Sequence, residues 1–143
     1  MGLTQKFQAD YESLDQVREF VGQVAEQCGF SDRAVYQVQL ATDEAFTNII
    51  EHAYAGEKGK YIECACQINK QALVIILHDC GKAFDPIAIP EPDLSAPLEE
   101  REVGGLGVFL MRRLMDEIYF EPAHISKDGC NTLTMVKRKE KPA

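Results

Sequence analysis

The sequence contains no tryptophan, and its aromatic residues are five tyrosines and seven phenylalanines in 143 positions. Its core must therefore be built mostly from aliphatic side chains. No apolar run approaches the roughly 20 residues that a membrane-spanning helix needs. The first residues, "MGLTQKFQADYESLDQ", lead into no apolar stretch of the kind a secretion signal carries. Lys6 also stands where the N-myristoylation pattern requires Ser or Thr. Neither membrane association nor export is expected, which makes the expected compartment cytoplasmic. Positive charge is scarce: 15 Lys and Arg against 23 Asp and Glu leave a net charge of −8. Phosphate backbones are repelled by such a surface, so direct nucleic-acid binding is not expected. A local anion site remains open, because backbone N–H groups can form one without net charge. Among the five cysteines there is no CxxC pair, and no histidine stands at a zinc-finger spacing. The odd set Cys28, Cys64, Cys66, Cys80 and Cys130 reads as five reduced thiols.

What is present is a globular composition, 45% apolar and 27% charged. The length fits one domain over residues 1–143, enough for a core without disulfides or a structural metal. Leu3, Phe7, Ala9 and Tyr11 share one parity, which predicts a half-buried first strand. Ser13 with Gln16 has the form of a capping box, and Leu14, Val17, Val21, Val24 and Cys28 follow at helical spacing up to Gly29. Ser31 opens a second helix, whose stripe Val35, Val38, Ala41, Ala45, Phe46, Ile49 and Ile50 carries it to about Ala53. Residues 61–68 and 72–78 predict a hairpin around "INKQA". Its second strand, "ALVIILH", is apolar on both faces and belongs in the middle of a sheet. Residues 86–103 carry Pro86, Pro90, Pro92 and Pro97 among five acids and fit no regular element. "GGLG" then opens a third helix, and "EIYFEP" and "NTLTMVKRK" are two final strands. The order β-α-α-β-β-loop-α-β-β does not alternate strictly. The expected fold class is α+β, with a mixed, mostly antiparallel sheet covered by helices on one face.

Three local features could carry chemistry. In "ATDEAFTNIIEHAY", Glu44 and Asn48 lie one helical turn apart on one face. A carboxylate can act as a base and an amide oxygen can ligate a hard cation, although the spacing alone favours a solvated helix face, E-x-x-x-N pairs being common by chance. In "DCGKAF", Asp79 follows a central strand and Gly81 allows close approach to the backbone. A carboxylate there could accept a hydrogen bond from an exocyclic amine, or could simply end the strand. In "VGGLGVFLMRRL", the glycines Gly104, Gly105 and Gly107 lead into a helix, whose unpaired N–H groups bind phosphates well. No Lys-Ser/Thr follows, so this is not a Walker A loop, and no strand precedes it as a Rossmann fingerprint requires.

Taken in order, E-x-x-x-N, D-x-G-x-x-F and the glycine-rich helix start resemble the N, G1 and G2 boxes of the GHKL ATP-binding fold. That fold is shared by histidine kinases, Hsp90, gyrase B and MutL. The quoted motifs are most similar to those of bacterial anti-sigma-factor serine/threonine-protein kinases. The resemblance runs from the first strand to "NTLTMVKR" and implies a two-layer α/β sandwich. It implies Glu44 as the catalytic base, Asn48 as the Mg2+ ligand, and Asp79 as acceptor of the adenine amino group, with Gly81 and Thr132 near the base. Phe84 closes the G1 box within the nucleotide-binding set. Residues 86–103 would form the ATP lid, and Gly104, Gly105, Leu106 and Gly107 would face the phosphates, with Arg101 as a γ-phosphate contact. Ala83 stands where many G1 boxes have a second glycine. The implied cofactors are ATP and Mg2+. The implied substrate is a Ser or Thr of an anti-sigma-factor antagonist, with a sigma factor as a second partner in a partner-switching system. Members of this group often dimerise, so a homodimer is among the expected states. The alternative is a nucleotide-gated partner-binding regulator with little kinase activity, in which Glu44 is vestigial. A Cys80-centred thiol-redox sensor is a third, remote reading.

Overall fold

The structure is a computed structural model and describes residues 2–83 and 105–139. The expected lid, with Phe84, Arg101 and Gly104, lies outside the described residues. Strand β1 (Gly2–Gln8) leads through a 3₁₀ turn, Tyr11–Ser13, into helix α1 (Leu14–Gln27). Helix α2 (Asp32–Asn48) follows, extended by one π turn over Ile49–Ala53. The hairpin β2 (Tyr61–Ile68) and β3 (Ala72–Asp79), helix α3 (Gly105–Leu114), β4 (Glu117–Glu121) and β5 (Asn131–Arg138) complete the order. The sheet runs β1-β2-β3-β5-β4. Every described pairing is antiparallel, so the sheet expected to be mixed and mostly antiparallel has no parallel pair among the described residues.

Alternation within the strands decides which face is dry. Ile62, Cys64 and Cys66 of β2 and Leu73, Ile75 and Leu77 of β3 are all fully buried, while Val74, Ile76 and His78 between them are not. The register aligns Cys64 with Leu77 and Leu77 with Leu133, so the buried positions form continuous rows across the sheet. On this face lie Val17, Val21 and Val24 of α1, and Val38, Ala41, Ala45 and Phe46 of α2. The Phe7 ring meets Phe20 of α1 edge-on at 5.8 Å and Phe46 of α2 at 6.4 Å. Helix α2 packs against both α1 and α3. Strand β1 is an edge strand and buries only Phe7. Leu3, expected to face inward, is 37% exposed, and the chain leaves the sheet after Gln8.

Local signals explain most boundaries, with two differences. Ser31 caps α2 as expected, its hydroxyl accepting from Ala34 N–H at 3.2 Å. Ser13 makes no side-chain cap bond to α1. Asp10 caps the preceding 3₁₀ turn instead, its Oδ1 accepting from Ser13 N–H at 3.0 Å and from the Ser13 hydroxyl at 2.9 Å. Asn69 shapes the β2–β3 turn by accepting from the N–H groups of Gln71 and Ala72, both at 2.8 Å.

The cysteine reading needs correction. Cys28, Cys64 and Cys66 are free, and the last two are buried on one face as their parity predicted. Cys80 and Cys130 form a disulfide, with Cα atoms 4.3 Å apart. Their separation of 50 residues in the chain hid a pairing that the β3–β5 register creates directly.

Candidate functional site

Side chains from α2, β3, β5 and α3 converge at one end of the sheet. Asn48 is 7% exposed and ends the α-helical part of α2. Its Nδ2 donates to the sulfur of Met111 on α3 at 3.8 Å, a weak bond that anchors the amide between the helices. One turn earlier, Glu44 is half-buried. A Cβ built on Gly107 would lie only 2.6 Å from Glu44 Oε2. The carboxylate therefore rests against the first turn of α3, in space that only a glycine leaves open. Burial pushes the Glu44 carboxyl above its ordinary value, and the charges of Asp43 and Glu51 push it further. Asp43, the neighbouring acid, turns toward α1, with Arg18 Nε 3.5 Å from its Oδ1.

Asp79 ends β3 with the parity of Leu73, Ile75 and Leu77, so it continues the dry face and is 4% exposed. Its Oδ1 accepts from Asn131 Nδ2 at 3.0 Å and from Gly81 N–H at 2.9 Å. Among the described residues both donors meet the same oxygen. Burial raises the Asp79 carboxyl above the usual carboxylate range, and these two hydrogen bonds oppose the rise. Asn131, 1% exposed, does more than hold Asp79. Its Nδ2 also lies 3.1 Å from Gly81 O and 3.3 Å from Lys82 O, and its Oδ1 accepts from Ala123 N–H at 2.8 Å. One amide thus ties the end of β3 to the start of β5 and to the turn before it.

The π turn fixes this strand end against α2. It wraps Tyr54 N–H onto Ile49 O at 3.0 Å, and the Ala53 carbonyl accepts from Lys82 N–H at 2.7 Å. Such turns recur at functional sites. Gly81 is pressed into the same contact: a Cβ there would lie 2.5 Å from Ala53 O and 2.9 Å from the Tyr54 ring. The Tyr54 hydroxyl donates to Tyr61 O at 2.7 Å and accepts from Cys80 N–H at 3.0 Å, bracing the loop from the other side.

Asn48, Ala53, Asp79, Met111, Phe120 and Asn131 line one cleft of about 20 Å³, room for a single water. Of the residues singled out in the sequence, the structure brings Asn48 and Asp79 together here, with Glu44 beside Gly107. Gly105 and Leu106 open α3, so their N–H groups are among those a helix leaves unpaired. Gly81 reaches this end of the sheet but serves the docking of the strand loop on α2. Thr132 does not join them. It pairs with His78 and Glu121, and strand alternation turns it to the opposite face from Asn131. Asn131 stands beside Asp79 in the place expected for Thr132. The missed signal was parity, since Asn131, Leu133 and Met135 alternate as one buried set.

A family model described as the histidine kinase-like ATPase domain matches residues 7–137. The serine-protein kinase RsbW of Halalkalibacterium halodurans is 32% identical over 133 residues, covering 90% of this chain and 78% of that protein. The serine/threonine-protein kinase BtrW of Bordetella bronchiseptica is 29% identical over 106 residues, covering 74% of this chain and 72% of its own. Among solved structures, the RsbU and RsbW domains of a Mycobacterium tuberculosis protein superpose on the whole chain with a TM-score of 0.68 at 17% identity. This chain spans 34% of that solved one, and at such identity the likeness concerns the fold alone.

Proposed function

The chain belongs to the histidine kinase-like ATPase domain family, and from that premise we propose that it is an ATP-dependent protein kinase of the anti-sigma-factor type. It transfers the γ-phosphoryl group of MgATP to a serine or threonine of a small antagonist protein. A sigma factor is its second partner, and the system works by partner exchange in the cytoplasm. The observation that carries the reading is the convergence of Asn48 and Asp79 on one cleft, with Glu44 against the first turn of α3. Kinase names among relatives of similar length support it.

The groups present match the chemistry of the ligands this requires, and the cleft of about 20 Å³ between them must widen to admit a nucleotide. Asp79 has both described donors on Oδ1, so Oδ2 can accept from an adenine amino group. The Asn48 amide is held through its nitrogen, which leaves the harder oxygen donor for Mg2+. Bound there, the cation would neutralise charge on the phosphates. The opening N–H groups of α3, from Gly105 to Gly107, would face those phosphates. Glu44 lies beside that turn, where it can accept the proton of the attacking hydroxyl as the oxygen bonds to phosphorus and ADP departs. Positioning and fixed charge do most of the work in such transfers.

The test is incubation with γ-labelled ATP and a purified anti-sigma-factor antagonist from the same organism. Label on a Ser or Thr of the antagonist is expected. Glu44→Ala should bind ATP normally and transfer about 10²- to 10⁴-fold more slowly. ATP binding without any transfer by the wild type would overturn the kinase reading and leave a nucleotide-gated binding protein.

A further inference from the structure

The outer face of the sheet carries a second cluster that the nucleotide reading does not use. His78 and Cys80 share a parity opposite to that of Asp79, so they leave the dry face together. The register pairs His78 with Thr132 and Asp79 with Asn131, and its next step sets Cys80 opposite Cys130. Both sulfurs and a ring nitrogen of His78 fall within 4.8 Å of one another. Cys80 is exposed, and Cys130 and His78 are half-buried, so solutes can reach the group.

The turn before β5 supports this cluster. Asp128 Oδ2 lies 2.8 Å from His78 Nε2. Asp128 Oδ1 accepts from the Ser126 hydroxyl at 2.7 Å and from Cys130 N–H at 2.9 Å. A carboxylate fixed on an imidazole is the usual outer support of a metal-ligating histidine.

We propose that Cys80 and Cys130 in their reduced form, together with His78, bind a thiophilic divalent cation of the Zn2+ class, and that the disulfide is the form closed to metal. Two thiolates and an imidazole are the donors such a cation prefers, and a three-ligand set leaves a fourth position for water. Opening the site requires a dithiol reductant of the thioredoxin class. Two electrons and two protons pass to the Cys80–Cys130 pair, its S–S bond breaks into two thiols, and the reductant closes its own disulfide. Metal binding then replaces the two thiol protons, which leave to solvent. The site needs no nucleotide and stands whether or not the kinase reading holds.

Cobalt(II) is the probe, because cobalt–thiolate bonds absorb in the near ultraviolet. The full chain, reduced with a phosphine and held without oxygen, is titrated with Co2+ alone. A charge-transfer band that saturates at one equivalent and is abolished by added Zn2+ is expected. The oxidised chain, which keeps the native fold, should give no band, and the Cys80→Ser, Cys130→Ser double variant none either. Cys28→Ser should bind as the wild type does. Asp128→Asn should weaken binding about 10- to 100-fold without changing the band, as a residue that positions the ring does. Reduced wild type without a stoichiometric band, or a band that survives in the double cysteine variant, would overturn the proposal.

Discussion

At the scale of single residues, Glu44 has the most to lose from its surroundings. Burial and two like charges hold its carboxyl above the ordinary value. A base works only when ionised, so transfer should fall as pH drops through this raised pKa. The acidic limb of the rate profile is therefore expected above the usual glutamate range. Asp43 supplies one of the two charges while facing Arg18 on α1. Asp43→Asn removes that charge, which eases ionisation of Glu44 and should move the limb to lower pH. Single-turnover labelling of the antagonist across acidic pH measures it. A limb that stays in place when Asp43 is neutral would show that another group controls the profile.

At the scale of elements, the joint between α2 and the end of β3 is the most constrained part of the site. Gly81→Ala would drive a methyl group into the Ala53 carbonyl, backbone that cannot turn aside. Overpacking of this kind costs about 1–3 kcal/mol. Tyr54→Phe leaves Tyr61 O and Cys80 N–H without their shared partner and should cost about 1 kcal/mol for each bond. Urea unfolding read by circular dichroism checks both, with a lower midpoint and unchanged slope expected. Unaltered midpoints would mean that the strand end docks on α2 less tightly than these contacts describe. This joint also marks where the sequence stopped being legible. Hydrophobic period and caps placed α2, the β2–β3 hairpin and the central position of β3, because each depends on residues close in the chain. The apolar stripe of α2 continues through Ile49 and Ile50, so nothing in its period announced that the helix widens into a π turn. Glu44, Asn48 and Asp79 stood out as residue types in motif order. The roles of Asn131 and Tyr54 and the Cys80–Cys130 pairing depend on register between distant segments, which periodicity does not report.

At the scale of the whole molecule, the five strands among the described residues belong to one sheet, and one core cluster runs from Phe7 to Met135. We expect residues 1–143 to unfold as a single unit. Calorimetry should show one transition whose van't Hoff and calorimetric enthalpies agree; two resolved transitions would argue for a division of the chain. The sheet is also a wall with different surroundings on its two sides. Asp79 and Asn131 stand on the dry side, and Cys80 and Cys130, their immediate neighbours in the chain, stand on the wet side. A dye attached to Cys80 in a Cys28→Ser, Cys130→Ser background would sit one residue from Asp79, on the opposite face of the sheet. The strand end thus offers a reporter position whose fluorescence can follow events at Asp79 while leaving the space around that carboxylate clear.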